Sequence, residues 1–280
     1  MKNLKNKVAA ITGVGSGIGE ALALHLAEKG CDLSLNEINP DRLKSTVEKC
    51  KKINSTIKIH EQVFDVADEK AMRSFAANTM NTHGRVDIMI NNAGVAIGSV
   101  AAEDIKKEDF DWIMGINFWG MVYGSQAFVP YLKRQEESAL VNISSLFGLI
   151  GVAYQAAYCT SKFAIRGYTE SLRMETLKTA PHLTIHTIHP GGVSTNIAND
   201  SKWVTDEPEP DVEKVNEFLV MPPPRAAQII VNGVQKKQSR ILVGNDAKRA
   251  SLIQRVYPEK YSKILGKGVF GQVDEMSKTE

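Results

Sequence analysis

The sequence predicts a single-domain, doubly wound α/β fold, in which a mostly parallel seven-stranded sheet has helices on both faces. Short apolar segments alternate with longer segments of helical periodicity along most of the chain. The apolar segments are continuous, which is typical of strands that are buried on both faces of a parallel sheet. A glycine-rich turn at residues 12–19 lies between the first strand and the first helix.

The first part of the chain consists of strand–helix units. Residues 8–12 predict a buried strand, and residues 18–29 predict a helix that ends at Gly30. The next helix is rich in charged residues, and the fourth strand is almost wholly apolar. The further elements of this part are strands at 32–36, 57–64 and 86–91 and helices at 40–52 and 68–82.

The second part continues the alternation with longer helices. Residues 110–134 are mostly helical and precede a fifth strand at 139–143. A long helix at 155–178 follows, with a sixth strand at 183–188 and a short seventh strand at 241–244. The predicted domain covers residues 1–265, and residues 266–280 form a polar tail.

Composition excludes several classes of protein. The 280 residues include 43% hydrophobic and 24% charged residues, the balance of a soluble globular chain. The net charge of +2 provides no basic excess for a nucleic-acid binder. The three cysteines are widely spaced, which indicates reduced thiols and a cytoplasmic location. The apolar run at 8–11 is too short for a signal peptide, and no apolar stretch has the length of a membrane span.

Residues 195–224 do not fit the alternation of strands and helices. Prolines flank a short stretch of helical periodicity at residues 212–219. Because this segment follows the carboxyl end of the sixth strand, we predict a substrate lid. The alternative is a surface excursion that packs against the domain and does not move.

The glycine-rich turn has the composition of a phosphate-binding site. Glycine lets the backbone approach a pyrophosphate closely, and the following helix directs free N–H groups at the anion. The spacing is Gly-x-x-x-Gly-x-Gly, which differs from the Gly-x-Gly-x-x-Gly fingerprint. A tight turn without a ligand is the alternative. We expect a dinucleotide cofactor to be held by Gly13, Ser16, Gly17, Ile18 and Gly19.

Glu37 follows the second strand and indicates which dinucleotide binds. A carboxylate at this position accepts hydrogen bonds from both ribose hydroxyls of NAD and repels the 2′-phosphate of NADP. Arg42 is the one nearby cation in the sequence, and it belongs to the following helix. The prediction is NAD, with NADP less favoured. The alternative is that Glu37 is an ordinary polar loop residue.

Further unusual clusters follow the other predicted strands. In open α/β sheets, ligands bind outside the carboxyl ends of the strands. Asp65 and Val66 follow the third strand, where they are suited to contact adenine. The clusters after the fourth, fifth and sixth strands are Asn91-Asn92-Ala93-Gly94, Ser144-Ser145 and His189-Pro190-Gly191-Gly192-Val193-Ser194-Thr195.

Tyr158 and Lys162 indicate a chemistry. Residues four apart share one face of a helix, so the phenol and the ammonium point the same way. A free phenol titrates near pH ~10, and a fixed cation beside it lowers that pKa. By itself the pair is weak evidence, because an exposed helix face with one half-buried aromatic residue gives the same pattern. Ser145 stands thirteen residues before the tyrosine.

Together these motifs resemble the short-chain dehydrogenase/reductase family. The resemblance covers roughly residues 5–245 and implies a Rossmann fold. The motifs that carry it are Thr12-Gly13-x-x-x-Gly17-Ile18-Gly19, Asn91-Asn92-Ala93-Gly94, Asn117, Ser145, Tyr158-x-x-x-Lys162 and Pro190-Gly191.

The resemblance implies a role for each catalytic position. Tyr158 would be the general acid–base, and Ser145 would hydrogen-bond the carbonyl oxygen of the substrate. Lys162 would hold the nicotinamide ribose and lower the tyrosine pKa, and Asn117 would anchor a water chain from Lys162 to solvent. Val193 and Thr195 would contact the carboxamide. The other implied cofactor contacts are Asp65, Val66, Asn92, Ala93, Gly94, Pro190 and Gly191.

The function expected from this resemblance is NAD-dependent interconversion of a secondary alcohol and a ketone. The alternatives are an NADP-preferring carbonyl reductase, an enoyl reductase, a sugar-nucleotide epimerase and a catalytically silent dinucleotide sensor or scaffold. The residues expected to face the substrate are mainly apolar, which predicts a lipophilic compound. They are Leu146, Phe147, Val152, Tyr154, Gln155, Trp203, Phe218 and Met221.

Two further expectations concern assembly and metals. The resemblance implies a homodimer or homotetramer, in which the helices at 110–134 and 155–178 pair across a two-fold axis. His182, His186 and His189 are close in sequence but do not share one face of a strand, and no helical zinc motif is present. We therefore predict no metal site.

Overall fold

The computed structural model describes residues 1, 3–98, 100–197, 200–202 and 219–266. These residues form a seven-stranded sheet with helices on both faces. The strand order is β3-β2-β1-β4-β5-β6-β7, and the six pairings between neighbouring strands are all parallel. The predicted doubly wound α/β fold is confirmed.

The strands and helices lie close to the predicted segments. The strands are β1 (Val8–Thr12), β2 (Asp32–Glu37), β3 (Ile59–Val63), β4 (Ile88–Asn91), β5 (Ser138–Ile143), β6 (Leu183–Pro190) and β7 (Arg240–Val243). The helices are α1 (Gly17–Glu28), α2 (Pro40–Ile53), α3 (Glu69–His83), α4 (Lys107–Met114), α5 (Gly120–Leu132), α6 (Ala156–Thr179), α7 (Pro223–Gln235), α8 (Asn245–Val256) and α9 (Tyr261–Gly266).

The direction of the chain through the sheet positions the site. The chain begins in the middle at β1, proceeds to the edge strand β3, and then returns to β4 beside β1. From β4 it continues to β7 at the opposite edge. The reversal therefore lies between β1 and β4, where the connections leave in opposite directions and a crevice opens at the carboxyl ends of the strands.

Two apolar layers hold the helices against the sheet. On one face, Leu22 and Leu26 of α1 and Ile230 of α7 pack against strand residues such as Ile11 and Leu33. A second cluster combines residues of α3, α5 and the sheet, which are Met72, Phe75, Phe128, Leu132, Met89 and Leu140. Apolar burial on both faces explains the nearly continuous apolar runs of the central strands β1 and β4.

Three elements differ from the prediction. β3 is a sheet edge, and Val63 is 49% exposed, so this strand is not buried on both faces. The helix predicted at 110–134 is divided into α4, a π-helical turn at Gly115–Trp119, and α5. The sequence interpretation assigned no helix after residue 224, whereas the structure has α7, α8 and α9 there.

Both ends of the predicted lid are attached to the domain. Met221 pairs with Val193 in a parallel bridge, and Lys202 pairs with Ile97. Trp203 and Phe218, with the segment 203–218 between them, lie outside the described residues, so the lid stays a prediction. Among the described residues, no helix combines the length and apolar character needed to cross a membrane.

Candidate active site

The glycine turn forms a bare backbone surface at the carboxyl end of β1. Gly13 has a φ of +67° and Gly17 a φ of +59°, which L side chains rarely adopt. A Cβ atom on Gly19 would lie 2.0 Å from the carbonyl oxygen of Gly13, so no other residue fits there. Ser16 precedes α1 with an extended backbone, and its side chain does not cap the helix. This surface suits a pyrophosphate at a helix N-terminus.

The Asn91-Asn92-Ala93-Gly94 segment fastens this turn to the end of β4. The Asn92 amide nitrogen Nδ2 donates to the carbonyl oxygens of Thr12 and Gly13, at 3.0 and 2.9 Å. The backbone N–H groups of Asn92 and Ala93 both donate to the Thr12 hydroxyl. These bonds fix the ends of β1 and β4 relative to each other, on either side of the crevice.

Glu37 lies beside the glycine turn at the end of β2. Its Oε2 accepts a hydrogen bond from the Gly15 backbone N–H at 2.9 Å, and its Oε1 accepts one from Asn39 at 3.2 Å. Arg42, the nearby cation, makes a bidentate ion pair with Asp200 at 2.7 and 3.0 Å. The guanidinium group is therefore already paired with a carboxylate from the segment that follows β6.

Asp65 and Val66 follow β3, where the sequence predicts that they contact adenine. Asp65 is exposed, and its Oδ1 accepts a hydrogen bond from the Ala67 N–H at 2.9 Å. Val66 is buried, and a Cβ atom on Gly120 would lie 2.7 Å from Val66 Cγ2. Val66 therefore packs against the start of α5.

The two serines after β5 have different surroundings. The Ser144 hydroxyl is buried and donates to the carbonyl oxygen of Lys162 at 2.8 Å. The Ser145 hydroxyl accepts a hydrogen bond from the Phe147 N–H at 3.1 Å, so its proton is available for another acceptor. It also forms a hydrogen bond with the Tyr158 side chain. Ser145, the serine that the thirteen-residue spacing favours, therefore lies beside the tyrosine, and its catalytic role stays a prediction.

Burial controls the acidity of Tyr158. Desolvation raises the pKa of its phenol to about 12, and the hydrogen bond with Ser145 lowers that pKa by a smaller amount. The sequence interpretation predicted that Lys162 lowers the tyrosine pKa. In this structure the loss of hydration exceeds any effect of the lysine, whose Nζ lies 5.4 Å from the centre of the phenol ring.

Lys162 and Asn117 meet at Gly94. A Cβ atom on Gly94 would lie 3.2 Å from both Lys162 Nζ and Asn117 Oδ1. Lys162 is 3% exposed, and burial lowers its pKa to about 8. Asn117 lies in the π-helical turn, where its amide group bonds the backbone of Val95 and the hydroxyl of Ser161. A π-helical turn inside a helix is frequently found at functional sites.

The segment after β6 faces the glycine turn from the other side. A Cβ atom on Gly17 would lie 2.8 Å from the Thr195 methyl group, which places Thr195 opposite the start of α1. Val193 is buried and paired with Met221. A Cβ atom on Gly191 would lie 1.9 Å from the carboxylate of Asp246, which accepts a hydrogen bond from the Gly192 N–H.

Asp246 is a site residue that the sequence interpretation missed. It fixes the turn after Pro190 from the first turn of α8. The sequence signal for Asp246 was its position just after the seventh strand, where a carboxylate in the first turn of a helix is favourable. Recognising it required a prediction of α8.

An apolar wall borders the site beyond Tyr158. The Phe147 ring contacts the Tyr158 ring edge-on, with 5.9 Å between the ring centres. Leu146 was predicted to face the substrate, but it is buried in a cluster with Leu149, Ile150 and residues of α8 and α9. The Tyr261 hydroxyl in α9 accepts a hydrogen bond from the Gly151 N–H at 3.0 Å. The C-terminal helices thus support the loop that carries Phe147.

The three histidines have separate partners. His182 bonds the carbonyl oxygen of Lys133, His186 bonds Gln238 and Thr184, and His189 bonds the carbonyl oxygen of Ser145. Within the described part of the chain, no three histidine, cysteine, aspartate or glutamate side chains are grouped as metal ligands.

Comparison with known proteins agrees with this geometry. The family model for short chain dehydrogenases matches residues 7–204. The "Putative oxidoreductase SadH" of Mycobacterium tuberculosis is 38% identical over 275 residues, which span 96% of this chain and 97% of that protein. The similarity therefore extends beyond residue 245 and includes α8 and α9.

Two solved structures share the fold. A short chain dehydrogenase/reductase from Burkholderia phymatum, in complex with NAD, has a TM-score of 0.84 at 23% identity and covers 92% of this chain and 96% of its own. A short chain dehydrogenase from Mycobacterium paratuberculosis, bound to NAD, has a TM-score of 0.75 at 25% identity. The match covers 88% of this chain and 99% of the Mycobacterium chain.

Proposed function

The chain belongs to the short-chain dehydrogenase family, and we propose that it is an NAD-dependent oxidoreductase that interconverts a secondary alcohol and a ketone. The observation that carries this proposal is the convergence of Ser145, Tyr158 and Lys162 beside the glycine turn, at the carboxyl ends of the strands. A silent sensor or scaffold would not need these three groups together.

The residues present fit a dinucleotide. An added Cβ atom at Gly13 would collide with Ala93, and one at Gly19 would collide with the Gly13 carbonyl oxygen, so only glycine lets the turn fold as closely as a pyrophosphate-binding turn requires. Glu37 lies beside Gly15 with a carboxylate that suits the ribose hydroxyls, and the pairing of Arg42 with Asp200 removes the nearby cation that a 2′-phosphate would need. The two NAD complexes of similar fold support the same choice. When bound, NAD supplies the hydride acceptor.

The chain's own residues position the substrate oxygen and move its proton. The Ser145 hydroxyl accepts from the Phe147 N–H, so its own proton faces Tyr158 in the free protein and can be donated to the substrate oxygen when substrate binds. The Tyr158 phenol exchanges a proton with the same oxygen. Lys162 stays largely an ammonium below about pH 8, which preserves a positive charge near the phenol at neutral pH. Asn117 holds the backbone of Val95 next to that lysine.

A lipophilic substrate fits the side of the site that the structure describes. Phe147 lies against Tyr158, and Val152 packs in the apolar cluster formed by the loop after β5 and the C-terminal helices. Tyr154 has a φ of +60° and is 37% exposed, so this loop holds an aromatic side chain outward in an unusual conformation. A short polar alcohol would leave these apolar surfaces without a partner.

The test is a substrate screen with a matched inactive variant. We expect NADH to form from NAD and a series of secondary alcohols, with kcat/KM rising as the alkyl chain lengthens. Tyr158→Phe should lower kcat by at least about 100-fold, because it removes the proton-transfer group, while NAD binding measured by fluorescence stays nearly unchanged. Activity of Tyr158→Phe near the wild-type level would overturn the proposed mechanism.

The screen also decides between the cofactors. An NADP-preferring carbonyl reductase, the second candidate, would give the larger kcat/KM with NADPH and a ketone. We expect the opposite preference, because Glu37 places a negative charge at the ribose end of the site and the nearby Arg42 is paired with Asp200.

A further inference from the structure

We propose that His189 is a positioning residue, which holds the backbone of Ser145 so that the serine hydroxyl stays beside Tyr158. This inference rests on the function proposed above, because it concerns the same serine. His189 lies at the end of β6 and is fully buried. No role in the proposed reaction has been given to it so far.

The hydrogen bond of His189 has a defined direction. Its Nδ1 lies 2.8 Å from the carbonyl oxygen of Ser145. A carbonyl oxygen only accepts, so Nδ1 carries the proton and Nε2 does not. Nε2 is buried and has no hydrogen-bond partner among the described residues. A buried acceptor without a partner costs stability, and among the described residues the hydrogen bond to Ser145 is the polar contact that offsets this cost.

The backbone around Ser145 is fixed on both sides of the residue. Its carbonyl oxygen also accepts from the Gly148 N–H at 3.0 Å, so two donors converge on this one oxygen. The preceding residue, Ser144, donates its N–H to the carbonyl oxygen of Ile188 at 2.9 Å. Ile188 therefore holds the peptide plane before Ser144, and His189, the next residue of β6, holds the peptide plane after Ser145. Those planes determine the direction of its side chain.

The imidazole keeps this bond over a wide pH range. Burial, with smaller contributions from the positive charges of Arg240 and Arg166, lowers the pKa of His189 to about 4, although the hydrogen bond to Ser145 and the charge of Glu170 act in the opposite direction. The ring is therefore neutral at the pH where the enzyme works. It acts as a fixed donor and takes no part in proton transfer.

The experiment compares two replacements of His189. His189→Asn keeps an N–H donor close to the position of Nδ1, whereas His189→Leu fills the space without a donor. We expect His189→Leu to lower kcat about tenfold with the KM for NAD unchanged, and His189→Asn to recover most of that loss. In a Ser145→Ala background, His189→Leu should cause no further loss, because the group it positions is absent.

Three kinetic results would overturn the proposal. The first is a wild-type kcat in His189→Leu. The second is an equal loss of kcat when His189→Leu is made in the wild type and in the Ser145→Ala variant. The third is a kcat for His189→Asn that is as low as that of His189→Leu. If His189→Leu does not fold by circular dichroism, His189→Met replaces it as the donor-less variant, because methionine also fills the space without an N–H group.

A crystal structure of each variant separates this proposal from the proposed function. Displacement of the Ser145 hydroxyl in the donor-less variant and its retention in His189→Asn would support the positioning role whatever the substrate. An unmoved hydroxyl in the donor-less variant would overturn that role even if the wild-type protein oxidises alcohols.

Discussion

At the scale of single residues, the site places ionisable groups where folding alone would not place them. Burial penalises the charged state of both Tyr158 and Lys162, so it raises the pKa of the phenol to about 12 and lowers the pKa of the ammonium to about 8. The lysine has no carboxylate partner in any described ion pair. A buried ammonium without a counterion costs stability, so its presence is better explained by function than by folding.

This cost predicts that Lys162→Met stabilises the free protein. The pKa of about 8 lies below the ordinary lysine value of 10.5, so the unfolded chain binds more protons between these values. Stability therefore rises with pH across about pH 8–10, and below pH 8 the full penalty, on the order of 3 kcal/mol, is present. Urea unfolding at pH 7 should show a higher free energy of unfolding for the variant and a smaller rise toward pH 9.5.

The matched control is Lys44→Met, which removes an exposed lysine of α2. It should change the free energy of unfolding little at either pH. A Lys162→Met variant that is less stable than the wild type at pH 7 would show that the lysine makes stabilising contacts in the free protein.

Cofactor choice is also decided by single residues. Glu37→Ala combined with Ile38→Arg should shift the preference from NAD toward NADP, because it removes a negative charge and adds an exposed cation next to it. Adding Asp200→Asn should shift the preference further, because Arg42 then loses its carboxylate partner. Fluorescence titration of both cofactors measures the ratio of dissociation constants. If Asp200→Asn leaves the ratio of the two dissociation constants unchanged, Arg42 does not reach the ribose.

At the scale of elements, the sequence predicted those parts whose signal is local. The glycine turn, β1 and α6 follow from spacing and apolar periodicity, and the structure has them at the predicted positions. The π-helical turn that carries Asn117 leaves no mark in the periodicity of residues 110–134. The burial of Leu146 depends on contact with α8 and α9, about 100 residues later, and sequence spacing does not report such contacts.

The C-terminal helices predict a measurable effect on substrate binding. Tyr261→Phe removes the hydroxyl that accepts from Gly151 and leaves the ring in the apolar cluster. The free energy of unfolding should fall by about 1 kcal/mol or less, because this hydrogen bond is near solvent. The KM of the alcohol should rise several-fold, because the loop that carries Phe147 is less restrained, while the KM for NAD stays the same. An unchanged KM for the alcohol would show that α9 does not influence substrate binding.

At the scale of the whole molecule, one helix face has no partner within the described chain. Phe163, Met174 and Leu177 of α6 are 40%, 68% and 59% exposed, and their spacing places them along one side of the helix. Trp119 is 47% exposed and stacks on Tyr123 in the neighbouring α5. Ala157, at the start of α6, does not belong to this face, because it is buried in a cluster of the chain's own core.

These faces of α5 and α6 support a homodimer or homotetramer, and Gly167 provides the test. Gly167 lies in the same stripe as Phe163, and a Cβ atom there would meet nothing within 4 Å in the protomer. Gly167→Glu should therefore be tolerated by the fold, and replacing glycine inside a helix favours helix formation. In an assembly it would bury a charge between two copies of α6, which is strongly unfavourable.

Light scattering at micromolar concentration should show an oligomer for the wild type and a monomer for Gly167→Glu. Ile53→Glu, at an exposed apolar position of α2, should leave the oligomer intact. A monomeric wild type, or an oligomer that survives Gly167→Glu, would refute pairing through α6.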